Sequence, residues 1–405
     1  MALNKLQDKA YKAVIKGKEQ VVVLTGAGGT GKTYTVQHII PKYKGDITIT
    51  ATTNRAKDVL ATSCYVKAYT VQRARGFSLV KSGYNNILRK VKKAMPTNLL
   101  IVDEVSMLPK KVYKDIMEEV ANNPQFQVLF LGDPIQLPAI GAGVDIEDIP
   151  GLHIELTEQK RQSDPAESYT RYMSELRDAI REGGSAPSFN GVEGITLHTS
   201  HLEFCRAYNA DTGSKKLTAY RNSVVDKYNS NIHKGENLIN IGDEVVIDKP
   251  IWVNEQVIAN NGDTVFVTGV EPGEYDGSSL VIVVTVDGTI GKVLFWVNKS
   301  AKQAVLDELQ AEGQQDEYWR IADASVGLKH LYACTVHKTQ GSTYDTIYID
   351  GTDLWSAHTA LPNRYSQPIS YEMFLRLQYV AISRMTTHCH IFVGKVRNYA
   401  NMREN

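Results

Sequence analysis

Apolar positions change their spacing several times along this chain, and each change predicts a different element. Leu3, Leu6, Ala10, Ala13 and Val14 recur at helical intervals, so residues 3–14 read as a helix. The unbroken run Val21-Val22-Val23-Leu24 reads as a buried strand, and residues 34–40 read as a helix halted by Pro41. Ile47-Thr48-Ile49-Thr50, Leu99-Leu100-Ile101-Val102 and Val128-Leu129-Phe130-Leu131 repeat the strand pattern, and a short strand precedes Leu156. Between them, Phe77-Ser78-Leu79-Val80 and Ile87-Leu88-Arg89-Lys90-Val91 flank the turn-rich Ser82-Gly83-Tyr84-Asn85-Asn86, which predicts a hairpin projecting from the sheet. Apolar strands alternating with helical segments predict an α/β unit around a parallel sheet.

Turn-rich residues 187–190 and 211–216 then mark a change of domain, and Leu217-Thr218-Ala219-Tyr220 reads as a strand of a second unit. Residues 241–297 differ in kind. Short β-branched runs recur there between glycine and aspartate turns, predicting a small antiparallel barrel. A helix over 301–311 and the stretch through Trp319 lead back to α/β character, with strands expected at Leu331-Tyr332-Ala333-Cys334-Thr335 and Gln378-Tyr379-Val380-Ala381-Ile382. The predicted division is a first α/β unit over 1–185 with a hairpin inserted at about 75–97, a second over 186–239 and 325–405, and an inserted barrel with a helix over 240–324.

Composition narrows the function classes. At 405 residues the chain calls for two or three domains, and no apolar run approaches the roughly 20 residues of a membrane span. The polar, amphipathic first 18 residues are unlike a signal peptide, so a cytoplasmic protein is expected. Cys64, Cys205, Cys334 and Cys389 lie far apart, which argues against a zinc finger or a disulfide framework; His388-Cys389-His390 reads as an alternating terminal strand rather than a metal site. With 45 basic and 45 acidic side chains, net charge gives no nucleic-acid footprint. The basic run over 88–93 fits a solvated surface as well as a phosphate contact.

Chemistry concentrates where strands end. Gly26-Ala27-Gly28-Gly29-Thr30-Gly31-Lys32-Thr33 spells a complete nucleotide-phosphate loop between a strand and a helix. Its glycines free backbone N–H groups for phosphates, Lys32 reaches the β and γ phosphates, and Thr33 holds Mg²⁺. Asp103 and Glu104 end an apolar strand, placing one acid to hold the Mg²⁺ shell and the other to deprotonate an attacking water. Gln136, in Gly132-Asp133-Pro134-Ile135-Gln136-Leu137-Pro138, is placed to sense the γ phosphate. Gln7 reads either as surface or as a reader of the adenine edge, Thr53 and Asn54 as ligand contacts or as a helix cap, and Arg161 as a charge-stabilising finger or a solvated arginine. Polar clusters also follow the expected strands ending at Thr335 and Ile382, in a second unit lacking its own phosphate loop. Two such units around one nucleotide make a motor.

The ordered series Gln7, GAGGTGKT, ATTNRAK, DEVSM, GDPIQLP, LTEQKRQ, TVHKTQGST and YVAISR resembles the superfamily-one helicases over nearly the whole chain. DEVSM and TVHKTQG are similar to the RecD and Dda branch, and the inserted hairpin and barrel to the phage Dda type. The resemblance implies two RecA-like units, ATP and Mg²⁺ as cofactors, and a DNA-dependent ATPase that moves 5′ to 3′ on single-stranded DNA and unwinds forked DNA. It assigns Glu104 as catalytic base, Thr33 and Asp103 to the metal, and Lys32, Gln136, Arg161 and Arg384 to the transferring phosphoryl group. Gln7, Gly28, Gly29, Thr30, Gly31, Lys32, Thr33, Tyr34 and Gly341 would bind nucleotide. Thr52, Thr53, Asn54, Thr70, Gln72, Tyr84, Arg89, His337, Lys338 and Thr339 would contact DNA.

Two positions depart from the Dda pattern: Gln72 stands where that type carries histidine, and Leu88 and Arg89 stand where its hairpin presents an aromatic, leaving Tyr84 in the turn as the stacking candidate. The resemblance further implies a monomer working with single-stranded-DNA-binding or replication proteins, in the host cytoplasm if phage-encoded. A translocase that displaces proteins with little unwinding, an RNA motor, and a nucleotide-switch or structural ATPase are the alternatives.

Overall fold

A computed structural model describes residues 3–82, 85–138, 143–158, 167–233, 238–253, 256–259, 262–285, 288–296, 299–361 and 367–394. They divide into two compact units, one of residues 1–220 and 336–405 and the other of residues 221–335. Among the described residues no helix is long and apolar enough to cross a membrane.

In the larger unit, the first sheet runs in the order Ala68–Thr70, Ile47–Ala51, Leu99–Asp103, Gln127–Gly132, Val21–Gly26, Leu152–Leu156, all parallel. Alternation along each strand builds a core on each face. Val22, Leu24, Leu99, Ile101 and Leu129 pack with Val14, Val36 and Leu60 from helices Lys5–Ile15, Lys32–Ile39 and Asn54–Cys64. Val21, Val23, Leu100, Val102 and Phe130 face the other way, onto Val112 and Ile116 of helix Lys110–Asn122. Because all strands are parallel, the phosphate loop, Asp103 and Asp133 leave the same edge. The expected hairpin pairs Phe77–Ser82 with Asn85–Lys90.

The same unit contains a second parallel series, Lys215–Ala219, Tyr344–Asp350, Met385–Phe392, Ile195–His198. One expectation fails here. Residues 378–382 are not a strand but the end of helix Tyr371–Ile382, capped by Ser370, whose hydroxyl accepts from Met373 N–H. Eight of that helix's residues, Phe374 among them, are buried, and only Glu372 and Arg376, an ion pair in its first half, mark a polar side, too little to reveal its period over 378–382. The next strand alternates: Cys389 is fully buried, while His388 bonds Thr196 at 2.9 Å and His390 bonds His198 at 2.8 Å.

The smaller unit is antiparallel, as its pattern predicts. Its strands run in the order Ile290–Trp296, Ser278–Thr285, Thr264–Pro272, Glu244–Ile247, Leu328–His330, with a separate hairpin Ile251–Val253/Gln256–Ala259, and Val326 N–H, just before the last strand, donates to Leu294 O of the first at 3.0 Å. Val245, Ile247, Val265, Val267, Val281 and Val283 form its core. The single strand expected over 331–335 is instead two short ones, Leu328–His330 and Ala333–Thr335.

Candidate functional site

The phosphate loop joins strand Val21–Gly26 to helix Lys32–Ile39, and its shape demands glycine at two points. Gly29 and Gly31 sit at φ 87° and 89°, in the left-handed region that side chains disfavour. A Cβ on Gly31 would also lie 2.4 Å from Gln7 Nε2. Gln7 is fully buried: its amide donates to Thr30 O at 3.3 Å and accepts from Asn4 N–H at 3.0 Å. The amide nitrogen thus braces the loop, while the oxygen closes the capping box of helix Lys5–Ile15. Lys32 Nζ donates to Gly26 O at 2.7 Å and Ala27 O at 3.1 Å, across the loop it belongs to. Thr33 and Tyr34, both half-buried, line the same cleft.

Asp103 and Glu104 enter from the adjacent strand end. Glu104 holds φ 54°, a conformation that only Tyr65 shares among the described non-glycine residues, and such strain persists only where surroundings enforce it. Here Glu104 N–H donates to Asp103 Oδ1 at 2.8 Å, and Glu104 O accepts from Thr52 Oγ1 at 3.1 Å. Burial pushes the Asp103 carboxyl above the usual range, Glu104 pushes it further, and Lys32 pulls it back. A carboxyl crowded by a second acid is one that a divalent cation would return to its charged form. The hydroxyl of Thr33 and the carboxylate of Asp103 are hard oxygen donors that fit Mg²⁺.

Gln136 and Arg384 complete the lining. Gln136 is 4% exposed, and its buried Oε1 has no hydrogen-bond partner among the described residues. An unsatisfied buried acceptor at a cleft suits a bound water. Arg384 is 2% exposed; it donates to Val380 O at 3.1 Å, Ser383 Oγ at 3.1 Å and Ser342 O at 3.5 Å, and forms no ion pair among the described residues. A buried guanidinium whose partners are neutral oxygens favours an anion in the adjoining space. That space is a cleft of about 400 Å³ lined by Lys32, Thr33, Asp103, Glu104, Gln136 and Arg384, large enough for a nucleotide.

Contacts missed in the sequence tie the two sheets together around this cleft. Arg376 donates to Pro134 O at 2.7 Å and Gln136 O at 2.9 Å, clamping the glutamine's loop to helix Tyr371–Ile382. Asp133 accepts from Arg177 at 3.0 Å and from Tyr379 at 2.7 Å. Gly341, at φ 74°, approaches the start of helix Asn54–Cys64 so closely that a Cβ would lie 3.0 Å from Ala56 Cβ. Arg177, on helix Glu167–Glu182, and Arg376 are half-buried and Tyr379 is buried; nothing in the sequence marks these contacts, and for Arg376 and Tyr379 the end of the largely buried helix Tyr371–Ile382 itself reads as a strand.

The remaining candidates lie on several elements. Thr53 and Thr70 are helix caps, accepting from Ala56 N–H at 3.1 Å and Arg73 N–H at 3.3 Å. Asn54 is half-buried, and Gln72 carries a buried Oε1 with no hydrogen-bond partner among the described residues. Arg89 and Lys338 are exposed, His337 half-buried, and Thr339 fully buried with its hydroxyl on Val336 O at 2.7 Å. Arg161 and Tyr84 fall outside the described residues.

Comparison with known proteins finds a family model, several relatives and solved structures similar to this chain. Residues 2–190 match the AAA domain family. The chain is 30% identical over 159 residues to the ATP-dependent DNA helicase PIF1 of Emericella nidulans, an alignment covering 34% of this chain and 20% of that protein. It is 23% identical to the RecBCD enzyme subunit RecD of Mycolicibacterium smegmatis, over 95% of this chain and 70% of the subunit. The match spans only about a fifth of the length of the Emericella relative. In fold it is similar to Bacteroides Pif1 helicase solved with ADP-AlF3 and single-stranded DNA, with a TM-score of 0.51 at 16% identity, covering 100% of this chain and 95% of that one. A structure of two coordinating Pif1 helicases unwinding forked DNA gives a TM-score of 0.54 at 18% identity, covering 100% and 95% of the two chains.

Proposed function

We propose that this chain is an ATP-dependent DNA helicase of the Pif1 and RecD type, moving 5′ to 3′ on single-stranded DNA and opening forked duplexes as a cytoplasmic monomer. The observation that carries the reading is the convergence of Lys32, Thr33, Asp103, Glu104 and Gln136 from the first sheet with Arg384 from the second on one cleft. Hydrolysis in a cleft shared by two sheets couples chemistry to their relative movement, which a one-sheet nucleotide switch does not need. The alignment of 95% of this chain to 70% of a RecD subunit and the fold shared with Pif1 support the same class.

In this reading Lys32 and the loop N–H groups bind the phosphates of ATP, and Thr33 and Asp103 hold Mg²⁺. Bound Mg²⁺ supplies positive charge to the phosphate oxygens. Glu104 accepts a proton from the water that Gln136 orients, and Arg384 stabilises the charge on the transferring phosphoryl group, with Arg161 as a second arginine. Gln7 keeps the loop in its binding shape. Thr52, Thr53, Asn54, Thr70, Gln72, His337, Lys338 and Thr339 track the DNA backbone, while the hairpin, through Tyr84 or Arg89, holds separated bases apart. Melting costs about 1.4 kcal/mol per base-pair step, so the hairpin prevents closure while the motor pulls.

The test is ATP-dependent unwinding of two duplexes at low salt, one with a 5′ single-stranded tail and one with a 3′ tail, with phosphate release followed in the same samples. Separation of the 5′-tailed duplex alone is expected. Phosphate release stimulated by either tail without separation indicates a translocase, and release indifferent to DNA removes the helicase reading.

A further inference from the structure

From the geometry of the smaller unit we infer a binding site for a zinc-class divalent metal ion formed by His233, Asp243 and His330. These three side chains come from different elements. His233 follows helix Asn222–Ile232, Asp243 precedes strand Glu244–Ile247, and His330 ends strand Leu328–His330, opposite Val245. One ligand atom from each lies within 4.8 Å of the others, and all three residues are half-buried. Tetrahedral zinc with bonds of about 2.0–2.1 Å places its ligands roughly 3.4 Å apart, so the side chains must draw together and the two stacked rings must turn out of their stack to aim both Nδ1 atoms at one ion. Two imidazoles and one carboxylate suit zinc or cobalt better than the all-oxygen set preferred by Mg²⁺.

The surrounding loop already does what an outer ligand shell does. Leu238 O accepts from His330 Nε2 at 2.9 Å, which fixes the tautomer whose Nδ1 keeps its lone pair. Asn240 contacts His233 Nε2 at 2.9 Å through its side-chain amide, and its backbone N–H donates to Asp243 Oδ2 at 2.7 Å. Because amide oxygen and nitrogen are interchangeable by a flip, Asn240 can accept from Nε2–H and leave His233 Nδ1 to the metal. One short stretch, residues 238–243, thereby orients all three ligands. The two rings stack at 3.9 Å, and Tyr332 packs against His330 at 5.6 Å, closing one side. The ion ties the end of the first helix of this unit to two neighbouring strands of its sheet, with water in the fourth position.

The test uses the full chain, stripped with chelator and dialysed against zinc in excess Mg²⁺ so that the ATP cleft is not counted. One bound zinc per chain is expected, and Co²⁺ in its place should give the intense visible absorption of a tetrahedral site. Asp243→Asn and His330→Gln should each lose the zinc, and Asn240→Ala should weaken it roughly 10–100-fold. Diethylpyrocarbonate labelling of the unaltered chain, read by mass spectrometry, gives a result independent of variant folding: zinc should protect His233 and His330. Absence of bound zinc, its retention in both ligand variants, or unchanged labelling of His233 and His330 would overturn the site and leave the histidines as a structural stack.

Discussion

Replacing Asp133 by asparagine probes the joint between the two parallel sheets. Asp133 is fully buried, and its carboxylate accepts from Ile135 N–H at 3.1 Å, from Arg177 Nη1 at 3.0 and 3.1 Å, and from Tyr379 at 2.7 Å. Tyr379 in turn accepts from Arg177 at 2.6 Å, and burial together with Asp133 pushes its phenol well above the usual range. Removing one partner of a buried ion pair costs about 3–5 kcal/mol, because the other charge stays behind. Glu155, 3.4 Å from Arg177 and 40% exposed, still offsets part of that charge, which favours the lower end. At about 2–4 °C per kcal/mol, a loss of about 3 kcal/mol lowers the thermal midpoint by about 6–12 °C. Tyr379→Phe removes two hydrogen bonds and should cost roughly 2 kcal/mol. Because both changes act on one network, the double variant should lose less than the two singles combined, with a coupling of about 1 kcal/mol or more. Urea and thermal unfolding of the four proteins measure this cycle. Additive losses, or an unchanged midpoint for Asp133→Asn, would refute the claim that this network joins the sheets.

Two further variants separate other parts of the account. Gly341→Ala forces a side chain into φ 74° and a 3.0 Å approach to Ala56; a loss of about 1–2 kcal/mol from the left-handed backbone alone is expected, read as a lower unfolding midpoint together with slower phosphate release. Arg89→Ala, on the exposed face of the hairpin, should spare DNA-stimulated phosphate release and reduce strand separation; equal loss of both activities counts against a separating role.

What the sequence made legible follows from how each element meets its surroundings. Strands such as Leu99–Asp103 are apolar along their length because the sheet is covered on both faces, so their type, order and polar ends could be read directly. The acid pair and the phosphate loop were legible for the same reason, as polar residues abruptly ending apolar runs. Helix Tyr371–Ile382 was not, because enclosure on most sides reduced the polar face that distinguishes a helix from a strand to Glu372 and Arg376. That concealed Arg376 and Tyr379, which depend on the helix to reach the loop of Gln136 and Asp133. Gln7 shows a different limit. An amide's capacity to read a base edge was visible, but its use in bracing Thr30 requires the fold that brings residues 7 and 30 together.

Single-turnover phosphate release on single-stranded DNA by the Arg384→Ala protein tests the shared cleft most directly, with binding of a fluorescent ATP analogue measured alongside. Arg384 belongs to the second sheet's side of the cleft, and the phosphate loop to the first. The account predicts release slowed on the order of a thousand-fold while nucleotide still binds. Release at the unaltered rate would place the chemistry within the first sheet alone and contradict a motor driven through the cleft.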